Sequence, residues 1–439
     1  MLTSSSLEKK GVKFIEASFL DLHGIMRSRT FPVKRFDAIS EEGFGFDGSS
    51  VGFVEIEDSD IVARPLEKTC KILSFDSFRT AFFLCEIIKD GKPFKGSGRG
   101  ILKDTLEKIK TENYRVFVGP ELEFFITKDG KPIDDAGYMF SNPKDCAGLF
   151  KKQFMSTIMT SNPAFNIHVA HHEVAPSQHE FELKFDEPIS MMDKLVLFKY
   201  LLRNFAKEQG LEVTYMPKPF DGMNGSGMHF HMSLWENDIP LFYENGDELS
   251  DIAKHFIAGV LEHSQEIALL INGTVNSYKR LVLGHEAPVF LVWGYGNRSA
   301  SIRIPKYHKI KPERARIEVR IPDALNDHYL SVAAIIRAGM IGIEKSMEAP
   351  EPFQRSTYEL DEEECEKLGI KILPRNLSDG IEHAKKGKIL RELLGKRLDA
   401  FIKHKQKEWN KYRKHLDGIG LSDDIIEVTD WERERYFNM

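Results

Sequence analysis

The chain has 439 residues, more than one hydrophobic core usually serves, so two domains are expected. Its 41% hydrophobic and 29% charged residues are those of a soluble globular protein, and a formal net charge of -6 removes any electrostatic reason to expect nucleic acid or an anionic membrane as partner. Cys70, Cys85, Cys146 and Cys365 stand apart without a CxxC pair, which argues against structural zinc and a disulfide framework and fits a reducing cytoplasm. The first residues lack the apolar core of a signal peptide, and no apolar run reaches membrane-spanning length, so a cytoplasmic location is expected.

In chain order, residues 12–21 and 25–33 read as two strands joined by a hairpin at His23-Gly24. Residues 44–50, with two glycines, read as a loop. Strands follow at 70–75 and 80–88, so the first hundred residues form a small β-rich unit, and the Gly- and Lys-rich stretch 89–100 marks its end. Residues 102–111 read as an amphipathic helix. Beyond it, strands at 116–126, 167–174, 181–185, 228–235, 300–304 and 315–321 mix with helices at 189–209, 251–270, 328–346 and 389–412. Irregular mixing of this kind indicates an α+β fold, divided into domains 1–98 and 99–439.

Several of these strands carry chemistry on one face. From Met228, the sequence alternates so that Met228, Phe230, Met232 and Leu234 face one way and His229, His231, Ser233 and Trp235 the other, behind the Gly-rich run Asn224-Gly-Ser-Gly227. In 116–126, Val116, Val118, Leu122, Phe124 and Ile126 share one face and Glu121 and Glu123 the opposite one. The turn 171–180 sets Glu173 and Glu180 on either side of Pro176. Converging carboxylates with an imidazole suit Mg²⁺ or Mn²⁺ better than zinc or copper. Arg298 and Arg303 occupy one basic strand segment; Arg316 and Arg320 flank Glu318 on another, with Ala315, Ile317, Val319 and Ile321 behind. Guanidinium groups pair with carboxylate and phosphate. Carboxylates for divalent metal beside arginines for anions are the equipment of phosphoryl transfer from a nucleotide, and neither a Walker A pattern nor a kinase Gly-rich loop is present.

With these residues in view, the chain resembles glutamine synthetase of the bacterial and archaeal type I class. The matching segments are 46–50, 119–124, 171–176, 224–231, 276–282, 286–288, 297–305 and 316–320, in the same order over nearly the whole length. The resemblance implies a small N-terminal β-grasp domain plus a larger catalytic domain with a curved antiparallel sheet flanked by helices. It implies a dodecamer of two stacked hexamers, with sites between subunits, using glutamate, ammonium and ATP. One metal would be held by Glu123, Glu173 and Glu180, the other by Glu121, His229 and Glu318. Arg280 and Arg320, with Asn224 and Gly225, would hold glutamate. Arg298 and Arg303 would stabilise the phosphoryl group in transfer, and His231, Ser233, Arg303 and Arg316 would contact the nucleotide. Glu286 would close a flap. Asp47 and Ser50 of a neighbouring subunit would join Tyr138 and Glu173 around ammonium, with Asp47 as base.

The sequence departs from the family pattern at Ser177, where glycine is usual, at Leu283 and His285 before Glu286, at Gly273, and after the Asp47 loop at Val51-Gly52-Phe53. These changes surround the nucleophile pocket and flap more than the metal ligands. A γ-glutamyl-amine ligase using methylamine or a polyamine is therefore a second reading, and a catalytically silent regulatory or scaffold oligomer a third.

Overall fold

Alternating apolar residues in the first hundred positions build a sheet of seven strands. The computed structural model describes residues 2–73, 78–161, 165–243, 249–284, 286–306, 311 and 314–439. Its first sheet contains β1 (Val12–Leu20), β2 (Met26–Pro32), β3 (Phe44–Asp47), β4 (Asp60–Pro65), β5 (Lys71–Leu73), β6 (Arg79–Lys89) and β7 (Lys92–Pro93). The path runs β2-β1-β6-β4-β3, with β5 and β7 also paired to β6. The hairpin falls at His23-Gly24 as expected, with Leu20 facing Met26. Asp21 holds it by accepting hydrogen bonds from the His23 and Ile25 amides and the Arg27 guanidinium. Phe36, from the short helix Phe36–Glu41, stacks on Phe83 at 5.0 Å and closes the core on one side of this β-grasp unit.

One expectation fails here. Residues 44–47 are not a loop: they form β3, paired antiparallel with β4 from Phe44↔Ala63 to Asp47↔Asp60. Phe44 and Phe46 pack towards the core, while a Cβ on Gly45 between them would meet nothing within 4 Å. Tertiary pairing thus outweighs the weak strand propensity of glycine. The turn proper begins at Gly48. Part of the strand expected over 70–75, including Phe75, lies outside the described residues.

The second sheet has ten strands: β8 (Tyr114–Lys128), β9 (Lys131–Pro132), β10 (Ile167–His172), β11 (Gln178–Leu183), β12 (Glu212–Thr214), β13 (Met228–Glu236), β14 (Ile239–Pro240), β15 (Trp293–Tyr295), β16 (Ile302–Ile304) and β17 (Ile317–Val319). The main path is β10-β11-β8-β13-β17-β16-β15, antiparallel except for the β15–β16 pair. The back of this sheet is apolar as the alternation requires: Val116, Val118, Leu122, Met228, Phe230, Met232, Ile317 and Val319 are all buried. Each such side chain contributes about 1.5–3 kcal/mol by leaving water. Helices Gly98–Thr111 and Pro188–Glu208 pack on β8, and helix His328–Glu344 packs against both. The helix expected over 389–412 is in fact two, Ile389–Leu394 and Leu398–Ile419, because Gly395 takes a left-handed φ of 55° that ends the first.

Behind this layer, helix Asp251–Ile271 crosses His328–Glu344 with backbone almost in contact. A Cβ on Gly342 would lie 2.0 Å from the His255 carbonyl oxygen, and one on Gly259 would lie 2.3 Å from that of Ala338. Alanine is the better helix former by about 1 kcal/mol, but the obstruction is backbone and cannot swing aside, and overpacking costs about 1–3 kcal/mol. Gly342→Ala is therefore expected to lower the urea midpoint; an unchanged or raised midpoint would contradict this close crossing.

Candidate active site

Strand register assembles the polar face. Along β8 and β13, His229 pairs with Glu121; along β8 and β11, Glu180 pairs with Glu123 and Glu182 with Glu121. β13 sets His231 opposite Glu318, and β16 sets Arg303 opposite the same glutamate. The result is a cleft of about 1050 Å³ lined by carboxylates, imidazoles and arginines. At its edge, the segment 224–227 must be glycine-rich because of close approach. A Cβ on Gly225 would lie 2.4 Å from the Pro217 carbonyl oxygen, and one on Gly227 would lie 2.5 Å from Arg280 Nη2.

Among the described residues of the cleft, donor atoms gather into three groups: Glu121, Glu180 and His229; Glu121, His231 and Glu318; and His171, Glu173 and Glu180. His229 Nδ1 lies 3.2 Å from Glu121 and 3.6 Å from Glu318, and its Nε2 lies 3.5 Å from Glu123. Arg316 Nε donates to His231 Nδ1 at 3.1 Å, which leaves the His231 Nε2–H to donate to Glu121 Oε1 at 2.5 Å. The partition differs from the expected one in detail. Glu180 stands within reach of both Glu121 and Glu173, while Glu123 accepts the Gly227 amide at 2.8 Å.

The charges in this cluster fit a divalent cation. Burial first, then Glu121, Glu123 and Glu173, push the Glu180 carboxyl well above its usual range. Burial also opposes ionisation of Glu121, but the His231 and His229 imidazoles outweigh it and hold that carboxyl well below its usual range. Glu318 is fully buried and is still held below its usual range, because Arg320 at 2.7 Å and Arg303 at 2.5 Å offset the loss of water. Oxygen-rich donors with one imidazole per group suit Mg²⁺ or Mn²⁺.

The arginines line the same cleft. Arg280 ends the helix Val275–Arg280, whose start is fixed by the Thr274 side chain capping the Ser277 amide. Its guanidinium donates to the carbonyls of Ile321 and Arg320 at 2.7 and 2.9 Å. Arg320 Nε is buried without a hydrogen-bond partner among the described residues, and Arg298 is exposed at the wall. Glu286 adopts a left-handed φ of 56° and accepts a hydrogen bond from Asn224 Nδ2 at 2.8 Å, bringing the predicted flap onto the glycine-rich segment. His285 lies outside the described residues.

Tyr138 stands edge-on to the His171 ring at 5.5 Å, and His171 Nε2 lies 2.8 Å from Glu173 Oε1, so Tyr138 and Glu173 share one corner. Asp47 and Ser50 do not line the cleft of their own chain. Asp47 is exposed at the end of β3, where the Ser50 and Ser49 hydroxyls hold its carboxyl down at about 2. Ser233 does not line the cleft either; its Oγ accepts from Trp235 Nε1 at 3.0 Å.

His171, Gln178, Glu182 and Tyr358 also line the cleft, and the sequence alone assigns them no part in it. The signal for two of them was present: Gln178, Glu180 and Glu182 alternate on β11, but the strand starts three residues earlier than its apolar residues suggest.

Comparison with known proteins covers nearly the whole chain. The family model for "Glutamine synthetase, beta-Grasp domain" matches residues 11–90, and that for "Glutamine synthetase, catalytic domain" matches residues 95–423. The chain is 40% identical to a glutamine synthetase of Pyrococcus horikoshii, covering 98% of this chain and 96% of the relative. It is 39% identical to one of Methanocaldococcus jannaschii, with the same coverage. A solved structure described as a GmaS/ADP complex superposes with a TM-score of 0.84 at 27% identity, covering 99% of this chain and 98% of the other. The Plasmodium falciparum glutamine synthetase superposes with a TM-score of 0.81 at 24% identity, covering 100% and 99%, and shares the fold.

A raised carboxyl destabilises the folded state at neutral pH. Through Glu180, folding stability falls as pH rises from the unfolded value of about 4.3 through the higher folded value. A bound divalent cation removes that penalty. Mg²⁺ or Mn²⁺ is therefore expected to raise the melting temperature more at pH 7.5 than at pH 5, and Glu180→Gln to reduce the gain while stabilising the metal-free protein. A gain equal at both pH values and untouched by Glu180→Gln would contradict the assignment.

Proposed function

Because the chain belongs to the glutamine synthetase family over nearly its whole length, we propose that it joins L-glutamate and ammonia to L-glutamine with ATP, through γ-glutamyl phosphate. The observation that carries this is the register-built row of carboxylates and imidazoles facing a row of arginines in one cleft. A carboxylate is a poor acyl donor because its leaving group is oxide, so the γ-carboxylate must first accept a phosphoryl group. Two Mg²⁺ or Mn²⁺ ions, one held by Glu123, Glu173 and Glu180 and the other by Glu121, His229 and Glu318, would supply charge neutralisation between the two anionic reactants.

The chain's own residues do the rest. Arg280 and Arg320, with Asn224 and Gly225, bind and orient glutamate; the unpartnered Arg320 Nε supports an anion there. Arg298 and Arg303 bear on the phosphoryl oxygens, and His231 and Arg316 contact the nucleotide, whereas Ser233 lies outside the cleft and is left without that part. Glu286, held by Asn224, closes the site and keeps water from the acyl phosphate. Tyr138 and Glu173 receive ammonium together with Asp47 and Ser50 of a neighbouring subunit. A carboxyl at about 2 is a poor base; seating Asp47 beside Glu173, away from water, raises it towards a value useful for accepting the ammonium proton.

Sites completed by a neighbour imply a closed assembly, for which the dodecamer of two stacked hexamers is our choice. The division into domains 1–98 and 99–439, and a cytoplasmic location supported by cysteines that stand apart in sequence without a CxxC pair, belong to the same proposal. The amine-ligase and silent-scaffold readings are not favoured, since the archaeal relatives at about 40% identity bear the name glutamine synthetase.

Phosphate release with glutamate and ATP should be fastest with ammonium; a clear preference for methylamine or a polyamine would overturn the amine assignment. Asp47→Ala and Arg298→Ala oligomers should each be impaired. Chains mixed in equal amounts and reassembled should recover about one quarter of the sites. Activity no greater than that of the separate variants would place each site within one subunit.

A further inference from the structure

We propose that Ser177 is a positioning residue for the amine corner of the site, its hydroxyl fastening the segment that carries Tyr138 to the turn that carries Glu173. Ser177 is fully buried and adopts a left-handed φ of 60°, a conformation that favours glycine over any residue with a side chain. What accompanies the strain is an unusual density of hydrogen bonds. Ser177 Oγ accepts the amides of Ile133 and Asp134 at 2.6 and 2.9 Å and lies 3.3 Å from Asp134 Oδ1. The Ser177 amide donates to Asp134 Oδ1 at 2.8 Å, and its carbonyl accepts from the Ile126 amide on β8 at 3.0 Å. Strained backbone persists where its surroundings fix it, and such positions cluster at functional sites.

The fastening reaches the site along two routes. In the first, Asp134 Oδ1 lies 3.1 Å from His172 Nε2, and His172 Nδ1 lies 2.7 Å from the Glu173 carbonyl oxygen. With both partners acceptors, both ring nitrogens of His172 donate, so the ring bridges Asp134 to the backbone of Glu173. The second route is the segment itself. Its start is held by Ser177 at residues 133 and 134, and its end by the Met139 amide donating to the His172 carbonyl at 2.9 Å. Tyr138 lies between those ties and meets His171, which in turn holds Glu173. The tyrosine and the glutamate therefore have one common anchor, and a small shift there changes their separation, the dimension that distinguishes ammonium from an alkylated amine.

Without the hydroxyl, the Ile133 and Asp134 amides lose their acceptor. Ser177→Gly removes it while accepting the left-handed backbone without strain, so this variant isolates the hydrogen bonds from the conformation. Ser177→Ala retains the strain. Deuterium exchange in the peptide 133–140 reads the clamp directly, and steady-state kinetics with ammonium and methylammonium read its consequence. The proposal rests on the ligation reading for its amine, but the exchange measurement does not.

Both variants are expected to exchange faster in 133–140 while β8 and β13 stay protected. The KM for ammonium should rise about tenfold with the KM for ATP within twofold, and the preference for ammonium over methylammonium should fall. Unchanged exchange in both variants would overturn the clamp. Faster exchange with unchanged ammonium KM and amine preference would overturn the positioning role. A wild-type protein inactive with ammonium but normal in exchange behaviour would refute the ligation reading and leave the clamp standing.

Discussion

Everything in the site depends on the register of β8 with its two neighbours. Side chains on a strand alternate with a period of two, so a pairing fixed at His229↔Glu121 and Glu180↔Glu123 puts imidazole and carboxylates on one face and Phe230, Leu122 and Phe181 on the other. A slip of one residue would drive four charged or ionisable groups into the apolar layer and bring three large apolar groups into the cleft. Apolar burial on the back of the sheet, against the helices Gly98–Thr111 and Pro188–Glu208, therefore enforces the geometry of the front.

The front face is electrostatically unfinished by itself. Glu318 is neutralised by Arg303 and Arg320, and Glu121 is held by hydrogen bonds with two imidazoles, whereas Glu180 is crowded by the carboxylates of Glu121, Glu123 and Glu173 and is forced towards its neutral form. On the proposed function, divalent cations and anionic substrates would complete this pattern. The same register that makes the apolar core stable makes the polar face depend on ligand for its charge balance.

What was legible in the sequence is what alternation encodes locally. The polar and apolar faces of 116–126, 228–235 and 315–321 follow from spacing alone, and the hairpin at His23-Gly24 follows from turn chemistry. Features set by pairing were not legible. Residues 44–47 become a strand only because β4 lies beside them, and Glu180 reaches Glu121 and His229 only through the cross-strand offset. Gln178 and Glu182 were hidden by a strand that begins inside an apparent turn, and Ser177 reveals its importance through contacts 43 and 44 residues away in sequence. Asp47 and Ser50 were suggested by resemblance, and within one chain they remain outside the cleft.

The proposed function requires that the register of these strands build sites for two divalent cations, one of them at Glu121. Counting Mn²⁺ bound to the nucleotide-free protein by electron paramagnetic resonance tests it most directly. Two ions per chain are predicted for the wild type, with Glu121→Gln losing one of them while the secondary-structure signal is unchanged. A wild type that binds no Mn²⁺ at millimolar concentration, or a Glu121→Gln protein that retains the full complement at unaltered affinity, would contradict it.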